Sequence, residues 1–124
     1  MALSSSVTGP IVAFDAGLAE RIREVLVDVG GVTERKMFGG LAFLIHGNMF
    51  VGVVGETLMA RDGADRYQAA LAREFAREMD FTGKPMKGNV YVEPDGTRAD
   101  VDLALWVGTC LAFVRTLPRK AGKG

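Results

Sequence analysis

Apolar residues recur at helical spacing near the start of the chain and then change period. Leu18, Ile22, Val25, Leu26 and Val29 fall at i, i+4, i+7, i+8 and i+11 between Asp15, a helix-capping residue, and Gly30-Gly31. This predicts an amphipathic helix with a capped start and a glycine stop. Its polar face, Glu20, Arg21, Arg23, Glu24 and Asp28, reads as solvent surface. From Glu34 to Arg61 the apolar period drops to about 2, the spacing of a strand. "LAFLIH" and "MFVGVV" flank Gly47-Asn48, a pair suited to a tight hairpin turn, and "TLMAR" follows a turn at Gly55-Glu56. Three or four antiparallel strands in a meander are expected.

The stretch "DGADRYQAALAREFAREMD" returns to helix formers, with Asp62 or Asp65 as cap and Tyr67, Leu71, Phe75 and Met79 on one row, predicting a helix over 64–77. "MDFTGKPMKG" reads as loop, and Val90-Tyr91-Val92 as a short strand stopped by the turn sequence Pro94-Asp95-Gly96. A last helix begins at an Asp100 cap, keeps Leu103, Val107, Cys110, Leu111 and Val114 on one stripe, and ends before Pro118. Asp102 near its start and Arg115 near its end complement the helix dipole. The order implies an α+β fold: an antiparallel β-meander sheet with N-terminal and C-terminal helices packed on it. Met37, Phe38, Phe43, Phe50, Trp106 and Phe113 are expected to bury against one another. Residues 1–14 read as a flexible leader, 15–117 as the domain and 118–124 as a basic tail. A sheet of few strands leaves exposed edges, for which a homodimer formed through an edge or an apolar helix face is a common remedy.

Composition narrows the class. At 124 residues and 48% hydrophobic content the chain makes one domain. Fifteen Lys and Arg against fifteen Asp and Glu leave no net charge, unlike the basic footprint of a dedicated nucleic-acid binder. The single cysteine cannot form an internal disulfide, and no secretory or membrane-spanning run is present, so a cytoplasmic location is expected.

Candidate chemistry is sparse. The only serines, Ser4, Ser5 and Ser6, lie in the leader, and Cys110 sits on an apolar stripe where burial raises a thiol pKa. His46 has no second histidine and no neighbouring cysteine with which to hold a metal. Glu93/Asp95 and Asp100/Asp102 lack the spacing of a calcium loop, and the glycine-rich stretches lack that of a phosphate cradle. No catalytic residue, metal or cofactor is therefore expected.

What remains is surface. Arg35 and Lys36 stand with Met37 and Phe38, and Lys84 and Lys87 with Pro85 and Met86. Mixed cations and large apolar groups suit contact with a protein partner, or secondarily nucleic acid with help from Arg115, Arg119 and Lys120. A ligand-binding or enzymatic alternative would use His46 with Tyr91 or Asp62.

"RKMFGGLAFLIHGNMFVGV", "LMARD", "KPMKGNVYVEPDG" and "DLALWVGTCLAF" together resemble the N-terminal domain of the TfoX/Sxy family of bacterial competence regulators. The features shared are Met-Phe-Gly-Gly at 37–40, the glycine-turned hairpin with Met49 and Phe50, the strand reaching Arg61-Asp62, the aromatic strand ending at Pro94 and the closing helix with Trp106. The resemblance spans about residues 15–117. It implies an α+β domain that is regulatory, associated with transcription and not enzymatic. In full-length regulators this domain acts beside a second, C-terminal one; the resemblance here is to a short, single-domain member, and it supplies no catalytic residues.

Overall fold

The computed structural model describes residues 14–37, 39–80 and 85–119; the side chains of Met37, Asp80, Pro85 and Met86 also lie outside the description. Helix α1 (Ala16–Val25) leads into strands β1 (Val32–Met37), β2 (Gly40–Ile45), β3 (Asn48–Val54) and β4 (Thr57–Arg61). A 3-10 turn at Ala64–Arg66 opens the short α2 (Tyr67–Ala72), followed by β5 (Ala76–Asp80), β6 (Pro85–Val92), a second 3-10 turn and α3 (Asp100–Val114). The six strands form one antiparallel sheet in the order β1-β2-β3-β4-β6-β5. The α+β class and the meander of β1 to β4 match the sequence reading.

Register explains the core. Phe43, Val51, Ala60 and Val90 are successive partners across the sheet, and Leu41, Val53, Leu58 and Val92 form the neighbouring row. All eight are buried on the face that carries α1, α2 and α3, in one cluster with Leu18, Ile22, Tyr67, Leu103, Trp106 and Val107. Each such large apolar side chain contributes roughly 1.5–3 kcal/mol on burial. A register shift beside Phe43 admits Phe50 as an extra, buried residue. Of the six core residues expected, Phe43, Phe50 and Trp106 are buried and Phe113 is partly buried. The Met37 and Phe38 side chains fall outside the described residues.

Met-Phe-Gly-Gly has a structural reason. Gly39 turns the chain at φ 76, a conformation that favours glycine. Gly40 then lies so close to β3 that a Cβ would stand 2.3 Å from the Val53 carbonyl oxygen. The motif is a turn followed by a close backbone approach.

Four local expectations change. The β2–β3 turn is His46-Gly47, at φ 53 and 81, rather than Gly47-Asn48. Two consecutive positive φ values are what a primed hairpin turn requires, while Asn48 opens β3, buried, its amide donating to the Pro118 carbonyl at 3.0 Å. The helix predicted over 64–77 stops at Ala72, because Phe75 adopts φ 70 and the following residues pair along β6 as an edge strand. Pairing with an existing strand outweighs a weak helical preference there. By the same pairing, much of the expected loop at 79–88 is strand, with 81–84 outside the described residues. Asp62 and Asp65 cap nothing, since neither short helix has a side-chain cap.

The remaining helix signals hold in part: α1 stops at Val25, before the expected Gly30-Gly31 stop, and α3 is entered through Ala99 with Asp100 as its first residue and no side-chain cap. The Asp15 carboxylate accepts from the Gly17 and Leu18 amides at 2.8 and 3.2 Å, and α3 ends at Val114, before Pro118. The α1 polar face is more than solvent surface. Arg21 donates to the Thr97 and Arg98 carbonyls and to Asp100, tying α1 to the start of α3.

Candidate interaction surfaces

Arg35 and Lys36 are exposed on β1, which borders the sheet and pairs only with β2 among the described strands. Alternation along a strand sends them to opposite faces. Arg35 is opposite Ala42 and Lys36 opposite Leu41. Between α1 and this strand, Arg23 grips Glu34 with two parallel hydrogen bonds of 2.7 and 2.8 Å. The guanidinium holds the Glu34 carboxyl below its ordinary pKa, chiefly by that hydrogen bonding. With Glu34 so neutralised, β1 presents Arg35 and Lys36 as a local excess of positive charge beside a strand edge that pairs with no other described strand.

The second half of the expected surface is elsewhere. Lys87 is exposed on β6, with β2, β3 and β4 between it and β1. At about 4.8 Å per strand the two strand axes are roughly 19 Å apart. The structure therefore does not bring Arg35 and Lys36 together with Lys87; Phe38 and Lys84, and the side chains of Met37 and Met86, lie outside the described residues. Arg115 and Arg119 are exposed after α3. The bond from Asn48 to Pro118 places that end of the chain beside the β2–β3 turn, at the far end of β1 from Lys36. Lys120 is outside the described residues.

His46 is an exposed turn residue. Its two proposed helpers have other partners: the Arg77 guanidinium stacks on the Tyr91 ring at 4.7 Å, and Asp62 is engaged beneath α3.

That second engagement went unseen in the sequence. Asp62 is buried after β4, and its Oδ1 accepts from the Thr109 hydroxyl at 3.0 Å and the Cys110 thiol at 3.1 Å. Burial, reinforced by the Asp62 charge and hydrogen bond, pushes the Cys110 thiol far above its ordinary pKa. A thiol held protonated is a poor nucleophile. The only available signal was that Asp62 precedes Gly63, whose φ of 95 turns the chain under α3. Above Asp62 lie two adjoining depressions of about 470 and 220 Å³ between the 64–72 segment and α3. Phe113 and Thr116 line the larger; Leu105 and Arg73 line the smaller. Arg73 also stacks on Trp106 at 3.6 Å.

Three of the four carboxylates considered for calcium are paired with arginines: Glu93 with Arg77, Asp95 with Arg98 and Asp100 with Arg21. Among the described residues no three His, Cys, Asp or Glu side chains form a group able to hold a metal ion, and no helix is long and apolar enough to cross a membrane.

The family model for the TfoX N-terminal domain matches residues 24–114, which span all six strands, α2, α3 and the end of α1. The chain belongs to the TfoX N-terminal domain family. Comparison with curated proteins gave no match, and neither did comparison with solved structures. The match begins inside α1 and ends at the last residue of α3, so the part of the chain that matches the TfoX N-terminal domain is the helix-covered sheet.

Proposed function

We propose that this TfoX N-terminal domain is a non-enzymatic regulatory module of the cytoplasm that binds a protein partner in a transcription-associated role. The observation that carries the reading is β1: a border strand with Arg35 and Lys36 exposed and its one acidic neighbour, Glu34, committed to Arg23. An open strand edge offers main-chain donors and acceptors to an added extended segment, and its side chains set the preference. Two cations on opposite faces of that edge favour an acidic extended segment. The wide separation of these cations from Arg115 and Arg119 favours a protein partner over a nucleic-acid backbone, which needs a continuous positive track.

The test is a pull-down from bacterial extract with nuclease, comparing the wild-type chain with an Arg35→Glu/Lys36→Glu variant. A protein retained by the wild type and lost by the variant supports the reading. Retention that depends on nucleic acid, or a partner indifferent to the double reversal, would overturn it.

A further inference from the structure

Helix α3 is apolar on both sides. Leu103, Trp106, Val107, Cys110, Leu111 and Val114 face the sheet and are buried. Val101, Ala104, Leu105, Gly108 and Ala112 form the opposite, exposed stripe, with Val101 74% and Leu105 52% exposed. No residue from 103 to 114 is charged. A helix hydrophobic all round belongs in an interior, yet among the described residues nothing covers this stripe.

Gly108 adds an independent observation. A glycine in mid-helix is destabilising relative to alanine. Here the fold does not need one: a Cβ at 108 would meet nothing within 4 Å, and the backbone is ordinary helix. The missing methyl leaves room for something outside the chain.

The stripe has its own complement. Ala104 and Ala112 stand four residues either side of Gly108. An antiparallel two-fold placed at Gly108 sets glycine against glycine and Ala104 against Ala112 of the other copy. The same operation brings Asp100, at the start of one helix, near Arg115, at the end of the other, and does so twice; the Asp100 carboxylate already accepts from Arg21 of its own chain but is exposed enough to accept a second donor. It also directs Val101 and Leu105 of each copy toward Ala112, Phe113 and Thr116, which line the 470 Å³ depression. Small surface meets small surface, acid meets base, and projecting side chains meet a recess, as an isologous interface requires.

We infer that a second copy of this chain packs on the outer face of α3, antiparallel about Gly108. This surface is separate from the β1 edge and does not depend on the function proposed there. A contact built on one helix and its flanking recess belongs with small, reversible interfaces, and a dissociation constant on the order of micromolar is expected.

Sedimentation equilibrium of the full chain, from about 1 to about 500 μM so as to bracket that constant, reads it directly. The wild type is expected to pass from monomer to dimer. Leu105→Lys should weaken association roughly 30-fold or more, as loss of a central anchor does, and Gly108→Ala about tenfold. Arg115→Glu should weaken it, and Asp100→Lys/Arg115→Glu should restore it, because the exchanged charges again face each other. Arg35→Glu/Lys36→Glu should leave it unchanged. Far-ultraviolet circular dichroism verifies that each variant is folded. A wild type that stays monomeric throughout would overturn the inference and leave the stripe to a different protein. So would a dimer indifferent to Leu105→Lys and Gly108→Ala, or a charge exchange that fails to restore what Arg115→Glu removes.

Discussion

Replacing Gly40 by alanine tests the account of the β1–β2 turn most directly. The new Cβ would stand 2.3 Å from the Val53 carbonyl oxygen, whereas carbon and oxygen approach comfortably to about 3.3 Å. The obstacle is backbone in the centre of a sheet, so β2 and β3 must separate by about 1 Å, loosening the pairing of Leu41 with Val53. Overpacking of this kind costs typically 1–3 kcal/mol; with no flexible side chain to yield, about 3 kcal/mol is expected. That is a large share of a domain's 5–15 kcal/mol. It corresponds to a fall of roughly 10 °C in Tm, or a urea midpoint lower by roughly 1.5 M at unchanged slope. Fluorescence of Trp106, the single tryptophan and fully buried, reports the transition. Gly39→Ala supplies the comparison. Gly39 holds a positive φ, for which alanine loses about 1–2 kcal/mol. A Gly40→Ala variant within about 0.5 kcal/mol of wild type, below any overpacking cost, or a reversed order of the two, would refute the close-approach argument.

Three further outcomes are expected. Asp15→Ala should lower stability by about 1 kcal/mol in urea unfolding through loss of the α1 cap, and Asp15→Asn should recover most of it. Cys110 should resist a disulfide reagent in the folded chain at about pH 8 and react at once in denaturant; because burial is the leading cause of its raised pKa, Asp62→Asn should not make it reactive. Glu34→Gln should cost no more than about 0.5 kcal/mol near neutral pH, since the pair is partly exposed. The Glu34 pKa is lowered in the fold, so its contribution is present above the unfolded value of about 4.3 and fades as pH falls through the folded one. Urea midpoints of variant and wild type should therefore converge in acid, and a constant gap would contradict the assignment.

Where one local pattern determined an element, the sequence was readable. Asp15 and the Leu18-Ile22-Leu26 spacing announce α1, and the β-prone apolar runs from Leu41 to Ala60, punctuated by turn residues, announce three central strands, which are buried on both faces: Ala42, Leu44 and Met59 on one, Leu41, Phe43 and Leu58 on the other. β5 was hidden because "AREMD" is composed of helix formers and becomes a strand only when β6 lies beside it. The His46-Gly47 turn was displaced by one residue because Asn48 is also a turn former. Nothing local shows that its amide is needed at Pro118. The basic surface failed to assemble for a topological reason. Residues 35–36 and 87 look alike in sequence, but sheet order is set by which strands pair, and three strands came between them.

The last helix shows the same limit from the other side. Its buried stripe was found by spacing, yet an equally regular stripe of Val101, Ala104, Leu105, Gly108 and Ala112 runs opposite it, and periodicity alone cannot rank two apolar faces of one helix. The sheet makes the choice by taking the face with Trp106, whose bulk fills the core that Phe43 and Phe50 begin. The face left over contains the smallest residues, including a glycine that the fold would exchange for alanine at a gain. Intramolecular folding explains why that face is outside; it does not explain why it is small and uncharged. Close approach of a second α3 accounts for both properties, and Gly108→Ala separates the two causes by sign. In dilute, monomeric protein it should raise Tm, while at high concentration it should weaken the dimer.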